Sequence, residues 1–148
     1  MNIYMDVCCL NRPFDQTPQR RVELEADAIL TILERCQQGD WTLAASSVIE
    51  QELLRIQDSE KLGNILTLYS CAKKRVYINE WVKTKASDFI KLGMTPLDSY
   101  HLALASVHEL DVFLSTDDKL LRKATAAKPG IHVANPVSWV MEVMKNGQ

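Results

Sequence analysis

The sequence is poor in the features that would remove a chain from the ordinary globular class. Only five glycines and five prolines occur in 148 residues, too few for a disordered or low-complexity chain. No apolar run approaches the roughly 20 residues needed to span a bilayer. The opening Met1 to Asp6 stretch has neither the basic nor the apolar segment of a secretory signal, so a cytoplasmic location without membrane attachment is expected. The four cysteines, Cys8, Cys9, Cys36 and Cys71, form no C-x-x-C pair; Cys8 and Cys9 sit together in what reads as a buried strand end, which suits reduced thiols. No glycine-rich phosphate loop is present. Nor is there an excess of positive charge: a formal net charge of -2 excludes nucleic-acid binding by bulk charge and leaves only local basic clusters. Those are Arg12, Arg20 and Arg21, then Lys73 to Arg75, then Lys119, Arg122, Lys123 and Lys128.

What remains is an ordinary balance of 47% hydrophobic and 24% charged residues, at a length that buries roughly two thirds of its unfolded surface. A single domain over residues 1–148 is expected, with no internal repeat or linker. Short apolar runs alternate with longer amphipathic ones. Strands are predicted at Ile3–Val7, Trp41–Ala45, Val76–Ile78, Val112–Leu114 and Ile131–Val133. Helices are predicted from Pro18 to Cys36, after Ser46 or Ser47, at Leu62–Cys71, at Glu80–Leu92, from Pro96 to about Leu110, after Asp118, and after Pro136. Alternation of this kind predicts an α/β fold of three layers, α/β/α, with a five-stranded mainly parallel sheet, because parallel neighbours need helical crossovers.

Ligands of open α/β sheets bind outside the carboxyl ends of the strands. Asp6 ends the first strand there, and Asp117 and Asp118 follow the fourth. Glu50 and Glu52 lie in the helix after the second strand, and Asp98 lies in the first turn of the helix that Thr95 and Pro96 open. Several carboxylates packed within a few ångströms repel one another, and a divalent cation with oxygen ligands relieves that repulsion. Bound Mg²⁺ or Mn²⁺ equips a site for phosphodiester hydrolysis.

Four segments, each on an element already assigned, resemble the PIN domains over essentially the whole length. They are Ile3-Tyr4-Met5-Asp6-Val7, Ser46-Ser47-Val48-Ile49-Glu50-Gln51-Glu52-Leu53, Leu97-Asp98-Ser99-Tyr100-His101-Leu102-Ala103, and Phe113-Leu114-Ser115-Thr116-Asp117-Asp118-Lys119-Leu120-Leu121. The resemblance implies a PIN-like (Rossmann-like) fold and an endoribonuclease whose acidic quartet is Asp6, Glu52, Asp98 and Asp118, holding Mg²⁺ or Mn²⁺. Thr116 would orient the last acid, with Ser47 auxiliary. Glu50 in place of Glu52, and Asp117 in place of or beside Asp118, are alternative registers. The resemblance also implies an RNA substrate, a homodimer, and a place as toxin beside an antitoxin protein.

One departure stands out. After Asp6 the family has Thr-Asn or Ser-Asn, whereas this chain has Val7-Cys8; Asn11 is the expected substitute for the lost polar orienter. The change motivates a rival reading, a catalytically silent PIN fold that binds RNA or protein. A receiver-like phosphoacceptor domain expects a central strand ending in the acceptor Asp, but the third strand here runs into Ile78-Asn79-Glu80. His101 and His108 lack partners at zinc spacing and are expected to pack. Cys8 lacks the C-x₅-R phosphate loop of a thiol nucleophile. Trp41, Trp81, Trp139 and Tyr100 could stack on bases, with Trp139 expected in the core.

Overall fold

The computed structural model describes residues 1–147. Its five strands pair in the order β3-β2-β1-β4-β5, every pair parallel. They are β1 (Asn2–Met5), β2 (Thr42–Ala45), β3 (Lys74–Arg75), β4 (Val112–Leu114) and β5 (His132–Ala134). The helices are α1 (Val7–Asn11), α2 (Arg20–Gln37), α3 (Ser47–Leu53), α4 (Ser59–Tyr69), α5 (Glu80–Lys91), α6 (Pro96–Val107), α7 (Asp118–Ala126) and α8 (Pro136–Lys145). The architecture is the three-layer α/β/α expected, with a sheet that is parallel throughout.

The strand order reverses between β1 and β4: the chain winds outward from β1 through β2 to β3, then returns to place β4 on the other side of β1. Such a switch point opens a crevice at the carboxyl ends of the two strands. Tyr4 pairs with Phe113 and Met5 with Leu114, and the Asp6 amide donates to the Leu114 carbonyl at 2.9 Å. The residues that follow β1 and β4 therefore leave the sheet side by side.

The sequence forms these elements for local reasons. In α2, Val22, Glu25, Ile29, Ile32, Leu33 and Cys36 are buried, a stripe at helical spacing, and Gly39, at φ +87°, turns the chain out. Ser46, Asn79, Thr95, Asp117 and Asn135 each cap the helix that follows with a side-chain oxygen. Pro96 and Pro136 occupy the first helical positions, where the missing N–H costs nothing. One hydrophobic cluster draws on all eight of these helices. In it Trp41 meets Trp139 edge to face at 5.0 Å, and the Arg35 guanidinium covers Trp41 at 4.5 Å.

Two expectations need correction. The first strand stops at Met5, and the chain turns at once into α1, so Cys8 and Cys9 lie on a helix rather than at a strand end. The third strand lies at Lys74–Arg75 instead of Val76–Ile78. It is an edge strand of two residues; Val76 adds one more bond, to the Ala45 carbonyl, and is buried, while Tyr77 and Ile78 already point to solvent. Apolar residues outside a strand produced the misplacement. No helix among the described residues is long and apolar enough to cross a membrane.

Candidate metal centre

Asp6 is the most buried acid at the switch point, at 6% exposure. Its Oδ2 accepts from the Ser115 hydroxyl at 3.0 Å and from the Cys8 thiol at 3.2 Å. No lysine or arginine pairs with it among the described residues. Burial pushes its carboxyl well above the usual range, with His101 opposing the rise. A buried carboxylate in this state needs either a proton or a cation.

Glu52 reaches the same spot from the last turn of α3. Its Oε1 lies 2.8 Å from Nε2 of His101, which α6 brings in fully buried. Asp6, Glu52 and His101 each offer a ligand atom, all within 4.8 Å of one another. Behind them the Tyr4 hydroxyl lies 2.6 Å from His101 Nδ1 and 3.0 Å from Ser46 Oγ.

Asp98 lies half-buried in the first turn of α6. Desolvation raises its carboxyl, helped by the negative charges of Asp117 and Glu52 and opposed by Thr95 and His101. Glu52 and Asp117 are thus near enough to act on Asp98. Asp117 caps α7 through Leu120, and its own amide donates to the Ser115 hydroxyl at 3.1 Å.

Two candidate acids lie elsewhere. Asp118 points away, toward α2, where Arg21 grips both its oxygens at 2.7 Å and holds its carboxyl below the usual range. Asp117, by contrast, is the extended N-cap residue that precedes α7, and its charge acts on Asp98. Glu50 lies about 200° around α3 from Glu52. It takes Arg75 in two bonds of 2.6 and 2.8 Å and accepts from Tyr69 at 3.0 Å. Arg75, then Tyr69, keep its carboxyl low.

Thr116 does not orient the last acid. Its amide donates to Cys8 Sγ at 3.4 Å, and the hydroxyl that ties β4 to the acids is that of Ser115. Asn11 donates to the Val7 carbonyl at 3.3 Å rather than to Asp6. Ser47 is exposed, and Ser46 caps α3 at 3.1 Å from the Ile49 amide. The polar residue missed after Asp6 is therefore replaced by Cys8 itself, together with Ser115.

His101, expected to pack, stands at the centre of the acids, and Tyr4 stands behind it. Both carried a signal in their spacing: His101 follows Asp98 by three residues on one helix face, and Tyr4 precedes Asp6 by two on one strand face. His108 instead bonds the Tyr77 carbonyl at 2.8 Å. Trp41 and Trp139 are buried, Tyr100 is half-buried, and Trp81 is 76% exposed.

Beside the acids opens a cleft of about 400 Å³ bordered by Cys8, Asn11, Arg12, Gln16, Lys61 and Thr116 among others. Arg12 is committed to Asp15 at 3.0 Å and to the buried Glu25 at 3.1 Å. Lys61 has no salt-bridge partner among the described residues.

The cluster is rich in carboxylate oxygen, with the His101 imidazole beside it, and its most buried acid has no lysine or arginine partner among the described residues. Both properties suit a hard or borderline divalent cation such as Mg²⁺ or Mn²⁺.

No protein-family model matches the chain, and no curated protein matches it. Among solved structures it is similar to VapBC2 from Rickettsia felis, solved bound to a DNA fragment from their promoter, with 13% identity and a TM-score of 0.64. The match covers 91% of this chain and 98% of that one. With the sheet order, the switch-point crevice and its carboxylates in place, the fold of this chain is PIN-like.

Proposed function

We propose that this chain is a metal-dependent endoribonuclease that hydrolyses RNA phosphodiester bonds, with Asp6, Glu52, Asp98 and Asp117 as its acids. The observation that carries the reading is the meeting of Asp6 and Glu52, with His101, within 4.8 Å at the switch point. Asp117 stands close enough to Asp98 to help raise its carboxyl. Such a concentration of negative charge destabilises the fold unless a cation compensates it.

Asp6, Glu52 and Asp98 would hold Mg²⁺ or Mn²⁺, with Asp117 at its edge. When bound, the ion supplies an acidified water and a positive charge for the phosphoryl oxygens. The residues of the chain do the rest. Ser115 and Cys8 fix the Asp6 carboxylate by donating to it, and Ser115 also holds the Asp117 amide, so one hydroxyl aligns two of the acids. Lys61, on the rim of the adjoining cleft, attracts the phosphate backbone where the net charge of the chain does not.

The silent-fold reading loses its motive, because the departure at Val7-Cys8 leaves Asp6 with two donors. Similarity to VapBC2 and the motif resemblance together support a toxin that pairs with an antitoxin protein, in the cytoplasm. A homodimer and a single domain over residues 1–148 are further parts of the reading, the dimer resting on the resemblance alone.

The test is cleavage of a single-stranded RNA by the wild type beside Asp98→Asn, with Mn²⁺ and with EDTA. Cleavage is expected only from the wild type with metal. Equal cleavage by Asp98→Asn, or cleavage undiminished in EDTA, would refute the reading.

A further inference from the structure

The hydrogen bonds behind Glu52 run in one direction. An ionised Glu52 can only accept, so His101 Nε2, at 2.8 Å, carries the proton. In a neutral imidazole Nδ1 is then an acceptor, and the Tyr4 hydroxyl at 2.6 Å must donate to it. Tyr4 oxygen in turn receives the Ser46 hydroxyl proton at 3.0 Å, and Ser46 Oγ accepts the Ile49 amide at 3.1 Å. The path starts at the N-cap of α3, crosses β1 and α6, and returns to Glu52 in the last turn of the same helix. Its two ends fix α3 against the strand that delivers Asp6.

Packing alone does not account for Tyr4. Its ring stacks on Phe113 at 5.6 Å in a place fully closed to solvent, where a phenylalanine would fill the same space without a hydroxyl to desolvate. The hydroxyl is retained where it reaches His101, and strand alternation puts it on the same side as Asp6. His101 is equally buried, and both its nitrogens are engaged.

We propose that Tyr4 and His101 are positioning residues that hold the Glu52 carboxylate toward Asp6, with His101 serving Glu52 as a hydrogen-bond donor and not the ion as a ligand. This rests on the metal-centre reading above. Carboxylates that bind metal are themselves held by outer hydrogen bonds, whose loss weakens binding by about 10- to 100-fold.

The experiment uses the full chain as wild type, Tyr4→Phe, His101→Gln and His101→Leu. Mn²⁺ affinity is measured by calorimetry, and the imidazole ¹⁵N shifts of His101 are measured in metal-free protein. The expected results are an Nε2–H tautomer in the wild type, an Mn²⁺ affinity lowered about 10-fold or more in Tyr4→Phe, and recovery by His101→Gln of most of what His101→Leu loses. A glutamine amide can donate to Glu52 while its oxygen accepts from Tyr4. Wild-type affinity in Tyr4→Phe, or His101→Gln as weak as His101→Leu, would overturn the proposal, the latter because it would make His101 a ligand. An Nδ1–H tautomer would overturn it without reference to metal. If the wild type binds no Mn²⁺, the nuclease reading fails by itself, and the tautomer still decides the direction of the chain. Should His101→Leu fail to fold, Tyr4→Phe and the tautomer carry the test.

Discussion

Replacing Asp6 by asparagine is expected to destroy cleavage and yet to stabilise the metal-free protein. The working follows from the site. An acid left at 6% exposure without a basic partner has an effective desolvation penalty of several kcal/mol when charged. The Ser115 and Cys8 donors return part of it, at about 1.5–3 kcal/mol for a good bond to a charged group and less for a thiol. A net strain of about 1–3 kcal/mol remains. Asparagine is neutral, close in shape, and keeps one oxygen for Ser115. In EDTA at pH 8 its melting temperature should therefore rise, by about 2–4 °C per kcal/mol at this chain length.

The pH dependence follows from the raised carboxyl. The folded state holds the Asp6 proton to higher pH than the unfolded chain does. Wild-type stability is thus unpenalised below the ordinary aspartate range and falls as pH climbs toward the folded value. Asp6→Asn lacks that fall, so the two melting curves should converge toward pH 4 and separate toward pH 8. Saturating Mn²⁺ should reverse the order, since a ligand at 100 times its dissociation constant adds about 2.7 kcal/mol. The assay is a thermal melt of both proteins in EDTA and in Mn²⁺ from pH 4 to 8. Asp6→Asn melting below the wild type in EDTA at every pH would refute the reasoning and make Asp6 a structural acceptor.

Other outcomes are expected. Asp117→Asn should lower the rate of RNA cleavage by about 100-fold or more, the scale of losing a preorganised charge at a reacting centre, whereas Asp118→Asn should stay within a few-fold of wild type; the reverse ranking in a kinetic assay would restore Asp118 to the site. Glu25→Ala leaves the Arg12 and Arg21 guanidiniums and the Asn135 amide around a cavity where a 1% exposed carboxylate had served all three. Urea unfolding should show a loss of about 3–5 kcal/mol. The Arg75 pair holds the Glu50 carboxyl low, so its contribution to stability is complete above the unfolded glutamate pKa and disappears as pH falls through the folded one. Arg75→Met should flatten that acid limb of a pH–stability profile while leaving cleavage at neutral pH unaltered.

The layers of the fold were legible because each strand and helix carries its own period and cap: Thr95-Pro96 and Asn135-Pro136 announce α6 and α8 without help from the rest of the chain. The third strand was not, because Lys74–Arg75 has no apolar pattern and exists only through its pairing with β2. At the site, the sequence could place Asp6 and Asp98 by element and order. It could not choose between Asp117 and Asp118, since the choice depends on where Arg21 arrives from a helix nearly 100 residues earlier. His101 reads from the sequence only as a packing residue for the same reason: Tyr4 and Glu52, which close around it, come from other elements.

The first strand made is the centre of the finished sheet. Residues 2–5 wait for β2 at residue 42 and for β4 at residue 112 before either side of β1 is covered, and pairings so distant in sequence form late. Until the ribosome has released Ser115 and Asp117, the Asp6 carboxylate has neither its hydroxyl donor nor its opposite wall. A nascent fragment of this chain therefore lacks the assembled acid cluster.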